Sequence, residues 1–201
     1  LSPSEIRRIG FPWSKQMVER SRRSTGATLA ASRAALVDGI SVNLAGGTHH
    51  AMRDAGEGYC VFNDAAVTIR TLQQENVIQR ACVIDLDVHQ GNGTAEILAN
   101  DQTAFTLSLH GVKNFPMRKS PSDLDVNLED GTTDQQYIIA LREALQQLNT
   151  QAPYDLAIYL AGADPYEGDR LGRLSLSKKG LAERDKTVMQ WCLDRNLPLT
   201  I

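Results

Sequence analysis

The sequence is poor in cysteine and contains no long apolar run. Its three cysteines are odd in number and far apart, which argues against a disulfide framework and favours reduced thiols in a cytoplasm. No apolar run approaches the ~20 residues of a membrane-spanning helix. The net charge of −3 at pH 7 indicates no basic surface for nucleic acid. We therefore expect a cytoplasmic protein without membrane or nucleic-acid partners, whose oligomeric state cannot be read from the sequence.

Apolar runs and amphipathic segments alternate along most of the chain. This alternation is typical of βαβ units, and 201 residues suffice for one α/β domain with a central parallel sheet flanked by helices. Residues 3–38 are predicted to be helical, from a capping box at "SPSE" to a stop at Gly39, and 111–133 to form a long loop. The predicted strands are "ISVNLA", "ACVIDLDV", "TAFTLSLH" and "YDLAIYLAG".

Two aspartates and a histidine stand where a buried strand ends, in "VIDLDVHQGNGT". Residues two apart in a strand share a face, so Asp85, Asp87 and His89 are predicted to point in one direction. Asp87 and His89 offer oxygen and nitrogen ligands for zinc, and Asp164, after a later strand, could supply the third. Three protein ligands with one open position are typical of a catalytic zinc site. A D-x-H pattern alone is equally compatible with a hydrogen-bonded core motif.

Adjacent histidines follow two glycines in "GGTHHA". His49 and His50 could share the roles of general base and general acid if oxygens of Asp85 and Asn92 orient their rings. The alternative is a pair of solvent-facing loop histidines. The neighbouring D-x-D-x-H pattern favours the catalytic interpretation.

Several ordered motifs, distributed over nearly the whole chain, resemble the histone deacetylase family. They are "GGTHHA", "GEGYCVFNDAA", "IDLDVHQGNGTA", "SLHGVKNFPMRKSPSDLD", "AGADPYEGDRLGRLSLS" and the "RD" at 184–185. They are most similar to the class IV branch and to related bacterial deacetylase-like proteins. The resemblance implies a three-layer arginase/deacetylase-like α/β fold and zinc-dependent hydrolysis of an acyl-lysine or a related amide such as an acyl-polyamine.

The resemblance also implies roles for individual residues. His50 would act as the base that takes a proton from zinc-bound water, with His49 in electrostatic support. The family's zinc ligands correspond to Asp87, His89 and Asp164. Its potassium site corresponds to Asp85 and Asp87 with backbone groups of His89, Ser108 and Leu109, and its substrate tunnel to the carbonyl of Gly58 and the rings of Tyr59 and Phe115. From the residues alone, core packing is the simpler interpretation of Tyr59 and Phe115, and a structural role is expected for His110 and Cys60.

The chain departs from the family pattern in two ways. Asn92 stands where many members have Asp, so the partner of His50 is neutral. The family's transition-state tyrosine has no counterpart, because the chain stops at the apolar "NLPLTI", which is typical of a strand beside "YDLAIYLAG". Residues 1–201 are therefore expected to form a single deacetylase-like domain that lacks N- and C-terminal parts of the full catalytic domain. Without the tyrosine, a loss of ~10²–10³ in rate is expected.

Two other functions compete with the deacetylase hypothesis. A binuclear manganese ureohydrolase of the arginase type shares the fold, but it needs further carboxylates where this chain has Gly91 and Tyr166. A pseudoenzyme that binds acyl-lysine or polyamine without cleaving it would keep the pocket and lack the tyrosine. The sequence leaves the metal open between zinc and ferrous iron, and it does not reveal the acyl group or its carrier.

Overall fold

The computed structural model describes all residues from 1 to 201, which form alternating helices and strands. In chain order these are α1 (Pro3–Ile9), α2 (Lys15–Asp38), β1 (Ile40–Ser41), α3 (Asp64–Gln74), β2 (Ala81–Asp85), α4 (Asn92–Leu98), β3 (Ala104–Gly111), β4 (Leu124–Leu128), α5 (Asp134–Asn149), β5 (Leu156–Leu160), α6 (Lys178–Leu193) and β6 (Leu199–Thr200). No helix is both long enough and apolar enough to cross a membrane.

One parallel sheet of six strands forms the centre of the molecule, in the order β1-β6-β5-β2-β3-β4. Every residue of β2 and β5 is buried, as expected for central strands that are covered on both faces. A cluster of 22 buried apolar residues packs α5 and α6 against one face. A second cluster of 12 packs α3 and α4 against the other face, where α2 lies beside α3 and contacts β1 and β6. The predicted three-layer α/β fold is therefore confirmed.

The N-terminal helical region is two helices rather than the predicted single one. The capping box forms, because Ser2 accepts from the N–H of Glu5 while the Glu5 carboxylate accepts from that of Ser2. However, Gly10 adopts a left-handed conformation (φ 88°) that ends α1, and Ser14 caps a new helix that runs to Gly39. The prediction of one helix over 3–38 was wrong because this turn interrupts it.

Strand predictions were correct in the centre of the sheet and weaker at its edges. The segment 111–133, predicted as a loop, contains the edge strand β4, whose acidic and half-exposed residues hide the apolar signal. The first predicted strand shortens to two residues. The predicted neighbour of "YDLAIYLAG" is confirmed, since β6 pairs with β5 and places Leu199 beside Ala157.

Candidate active site

The carboxyl ends of the central strands bring the candidate residues together. In a parallel sheet these ends share one edge, which is where ligands bind in open α/β folds. The loop after β1 carries His49 and His50, the segment after β2 carries Asp87 and His89, and the loop after β5 carries Asp164. All five side chains are buried or half-buried.

Asp87, His89 and Asp164 form the group in the structure that could hold a metal ion. One donor atom from each lies within 4.8 Å of the others. His89 Nδ1 is 2.9 Å from Oδ1 of Asp87 and 3.0 Å from Oδ2 of Asp164. Backbone N–H groups orient both carboxylates: that of His89 donates to Asp87 and that of Val88 to Asp164. No Lys or Arg forms a salt bridge with either carboxylate.

The electrostatics of this group favour a bound cation. Burial lowers the pKa of His89, but its contacts with Asp164 and Asp87 outweigh burial and raise the pKa to about 10. Burial raises the pKa of Asp87, and the nearby histidines more than offset it, so the net change is downward. Two carboxylates and one imidazole are a donor set that suits a divalent ion, which would compete with the proton on His89. The residues present therefore fit a metal site.

Asp85 lies apart from this group. Strand β2 ends at Asp85, so the alternation that predicted a common direction does not extend to Asp87 and His89. The Asp85 carboxylate instead accepts a hydrogen bond from His49, with 2.7 Å between Oδ2 and Nδ1. Burial lowers the pKa of His49, but the attraction of Asp85 and Asp87 exceeds this effect and raises it to about 9. His49 is thus held as an imidazolium, with Nε2 only 3.9 Å from Asp87 Oδ1.

His50 has the opposite electrostatic environment. Burial and the charge on His49 lower its pKa to about 3, so the ring is neutral. Its Nδ1 lies 2.7 Å from Asn92 Oδ1, and Asn92 Nδ2 donates to Glu57 Oε2 over 3.3 Å. Because an ionised carboxylate can only accept, Glu57 requires the amide NH₂ and leaves the amide oxygen for His50. The proton of His50 is therefore on Nδ1, and Nε2 is left as a base.

Two residues at the start of α3 form hydrogen bonds with the backbone of the histidine loop, residues 47–51. The Asp64 carboxylate accepts from the backbone N–H groups of Gly47 and Thr48, both over 2.9 Å. The Asn63 amide donates to the carbonyl of Ala51 over 3.2 Å, and its oxygen caps α3. The functional interpretation of the sequence missed Glu57, Asn63 and Asp64. Only Asn63 has a local signal, a helix N-cap residue before "DAAV".

Three residues of the predicted tunnel surround the entrance to the histidines. The side chain of Phe115 stands edge-on to His50, with ring centroids 4.9 Å apart. Tyr59 is 62% exposed and Phe115 37%, so neither belongs to the core, contrary to the simpler interpretation. Gly58 (φ 53°) packs so closely on His50 that an added Cβ would lie 2.6 Å from the ring. The cavity behind them has a volume of about 810 Å³ and reaches Asp87 and His89.

The remaining predicted residues lie in the neighbouring strand or in the core. Ser108 is the register partner of Asp85 and its hydroxyl contacts His110, while Leu109 is fully buried. The potassium site stays a prediction. His110 is fully buried and away from the cavity, in agreement with a structural role. Burial raises the pKa of the Cys60 thiol to about 12, which fits an unreactive cysteine.

A buried arginine holds the backbone of the two segments that carry the candidate metal ligands. Arg184 of α6 is 1% exposed, and its guanidinium donates to the carbonyls of Gly162 (2.6 Å) and Leu86 (3.3 Å). These carbonyls are close in sequence to Asp164 and Asp87. The charge is balanced by the adjacent Asp185 at 2.8 Å. Arg184 was not predicted as a functional residue, because it is 98 positions from Leu86.

Comparisons with known proteins agree with this geometry. The histone deacetylase domain model matches residues 5–201. An uncharacterized protein of Picosynechococcus sp. is 44% identical over 99% of this chain and 66% of its own length, and histone deacetylase 2 of Arabidopsis thaliana is 33% identical over 90% and 47%. The chain thus spans between about half and two thirds of these curated relatives.

Solved structures show the same similarity. A histone deacetylase homologue from Aquifex aeolicus superposes with a TM-score of 0.82 at 26% identity, covering 94% of this chain and 54% of that one. An acetylpolyamine aminohydrolase from Burkholderia pseudomallei gives a TM-score of 0.75 at 25% identity, covering 89% and 54%. The domain model covers almost all of the sequence, and the fold agrees over the same range. The chain therefore belongs to the histone deacetylase family.

Proposed function

We propose that the protein containing this chain is a metal-dependent hydrolase that removes an acyl group from lysine or a related amine. The observation that carries the proposal is the convergence of two different sites on one cavity. The triad of Asp87, His89 and Asp164 lies beside two histidines whose ring nitrogens are oriented by separate partners. Family membership supports a deacetylase-type hydrolase.

Asp87, His89 and Asp164 would hold the ion, which we take to be zinc, with ferrous iron as the alternative. When bound, such an ion supplies a Lewis acid for the amide carbonyl and lowers the pKa of a coordinated water. The structure has one cluster of this kind, which favours a mononuclear site over the binuclear arginase type. A potassium ion near Asp85 and the backbone of Ser108 and Leu109 is part of the same proposal.

The two histidines have different roles, and His50 carries out both proton transfers. His50 presents an unprotonated Nε2 to the cavity, so it takes the proton of the attacking water and later returns it to the leaving amine. His49 stays positively charged on Asp85 and stabilises negative charge that develops on the substrate carbonyl. The opposite environments of the two rings support this division, which the sequence left open.

The entrance suits a slender acylated amine. The exposed rings of Tyr59 and Phe115 form apolar walls for a methylene chain, and the carbonyl of Gly58 would accept a hydrogen bond from the substrate amide. Both acyl-lysine and acyl-polyamine substrates fit this description. One relative of known structure is named an acetylpolyamine aminohydrolase, and another was solved in complex with SAHA.

The test is hydrolysis of an acetyl-lysine peptide by the zinc-loaded protein, measured as the release of acetate. Asp164→Ala should lose both bound zinc and activity, because it removes one of three ligands. Glu143→Ala is the matched control, since this exposed carboxylate of α5 lies outside the cavity and should leave both unchanged. A protein that binds zinc and peptide without releasing acetate would support the binding-protein alternative instead.

A further inference from the structure

Four basic side chains surround the mouth of the cavity. Arg7 and Arg8 belong to the last turn of α1, Lys113 follows β3, and Arg173 lies in the loop after β5. All four are exposed to solvent. They come from three separate parts of the chain, so their common location is a property of the fold.

The two arginines of α1 are held at the mouth by the backbone. The carbonyl of Arg8 accepts from the N–H of Gly58 over 3.2 Å, and that of Ile9 accepts from Tyr59 over 2.7 Å. The Tyr59 ring packs on Gly10, where an added Cβ would lie 2.7 Å from it. Helix α1 is thus attached directly to the tunnel wall. The backbone of Arg7 and Arg8 therefore stays beside the entrance as long as these contacts are kept.

The positive charge at the mouth is only partly neutralised. Glu57 pairs with Arg8 at 3.7 Å, and the single carboxylate of Asp130 serves both Lys113 (3.5 Å) and Arg173 (3.3 Å). Arg7 forms no salt bridge. Four positive charges therefore face two carboxylates, which leaves an excess of two.

We infer that this site selects acylated amines whose carrier is anionic, namely acyl-lysines flanked by Asp or Glu. The inference rests on the proposed function and specifies its substrate class. When the acylated chain occupies the tunnel, the flanking residues of a peptide lie at the mouth, within the ~10 Å range of the uncompensated charges at moderate salt. An acyl-polyamine would bring its free ammonium groups to the same positions. The mouth therefore disfavours the polyamine substrates that the tunnel alone would accept.

Three acetyl-lysine peptides that differ only in their flanks test this inference. Flanks of two glutamates, two glutamines or two lysines should give kcat/KM values in that descending order with the zinc-loaded protein. About tenfold should separate the extremes at low ionic strength, and the ratio should shrink towards unity in ~1 M salt. N-acetylputrescine should be cleaved less efficiently than the glutamine-flanked peptide. Affinities measured by fluorescence anisotropy should follow the same order, so that the dissociation constant is lowest for the glutamate-flanked peptide and highest for the lysine-flanked one.

Substitutions of the basic residues test whether the preference for acidic flanks originates at the mouth of the cavity. Arg7→Gln combined with Lys113→Gln should reduce the ratio between glutamate and lysine flanks at least about threefold. Arg142→Gln removes an equally exposed arginine of α5, whose partner is Glu183 and which lies outside the cavity, and should preserve the ratio. Equal cleavage of all three peptides, or faster cleavage of N-acetylputrescine, would overturn the inference and leave the proposed function standing. If no peptide is cleaved, the proposed function fails, and equal binding of all three peptides would then overturn this inference as well.

Discussion

Replacing Glu57 with alanine should change which ring nitrogen of His50 carries the proton, although Glu57 forms no hydrogen bond with His50. Glu57 sets the orientation of the Asn92 amide, and the amide oxygen in turn selects the His50 tautomer that is protonated on Nδ1. The link between Asn92 and Glu57 is long at 3.3 Å and the Glu57 side chain is 21% exposed, so we assign it about 1 kcal/mol, below the usual range for a charged acceptor. Such a bias favours the productive orientation by roughly five to one. Without it the two orientations become about equally populated, so the productive fraction drops from roughly five sixths to about one half and kcat/KM should fall a little under twofold, to roughly 60% of the wild-type value.

The loss of activity in Glu57→Ala should disappear or reverse when residue 92 is aspartate. A carboxylate at this position can only accept from His50 Nδ1, so it selects the productive tautomer without help from Glu57. Aspartate at position 92 would also lie about as close to Glu57 as Asn92 does now, and the two carboxylates would repel each other. Glu57→Ala should therefore slow the wild-type protein but leave Asn92→Asp unchanged or faster. Glu57→Gln is the conservative control, because its amide oxygen can still accept from Asn92.

The assay combines kinetics with a direct measurement of the tautomer. Steady-state rates are measured with the glutamine-flanked peptide, because it carries no charge that would respond to the loss of Glu57 at the mouth. The ¹⁵N chemical shifts of His50 in the zinc-loaded protein report which ring nitrogen carries the proton. We expect protonated Nδ1 in the wild type and a mixture in Glu57→Ala. An unchanged ¹⁵N spectrum in Glu57→Ala would refute the reasoning, even if the rate falls.

Four further predictions concern other parts of the site and fold. His50→Ala should lower turnover by ~10²-fold or more while the zinc content, measured by elemental analysis, stays near that of the wild type; normal activity in this variant would refute its role as base. Elemental analysis should find one tightly bound transition-metal ion per chain, and two would favour the binuclear alternative. Arg184→Met should destabilise the protein by about 2–4 kcal/mol in denaturant unfolding, since buried carbonyls lose their donor, and an unchanged midpoint would contradict this. Burial lowers the pKa of His110, so stability should decrease as pH falls below the ordinary histidine value near 6.5, and His110→Asn should flatten that decrease.

The central sheet and the clustering of Asp87, His89 and Asp164 could be predicted because their signals lie in short segments of the sequence. β5 is entirely apolar and β2 is apolar up to its last residue, Asp85, and the candidate site residues follow soon after each strand, so strand ends and site residues were located together. The edge strand β4 was not predicted because only one of its five residues is buried, which leaves no clear apolar pattern. Phe115 and Tyr59 were ambiguous, since an aromatic residue in a loop has the same sequence signal in a core as at an entrance. Their exposure depends on how separate loops meet, which no local pattern records.

The supporting charges beneath the site follow a rule that becomes visible only in the assembled fold. The histidine loop turns its backbone N–H groups inward, at Gly47 and Thr48, and the buried residue under it is the anion Asp64. The segments beside the metal triad turn carbonyls inward, at Gly162 and Leu86, and the buried residue under them is the cation Arg184. Buried peptide groups must find partners, and a charged partner is favoured where several such groups point at one place. The sign of each buried charge thus follows from the peptide groups that point at it: N–H groups are met by the carboxylate of Asp64, and carbonyl groups by the guanidinium of Arg184.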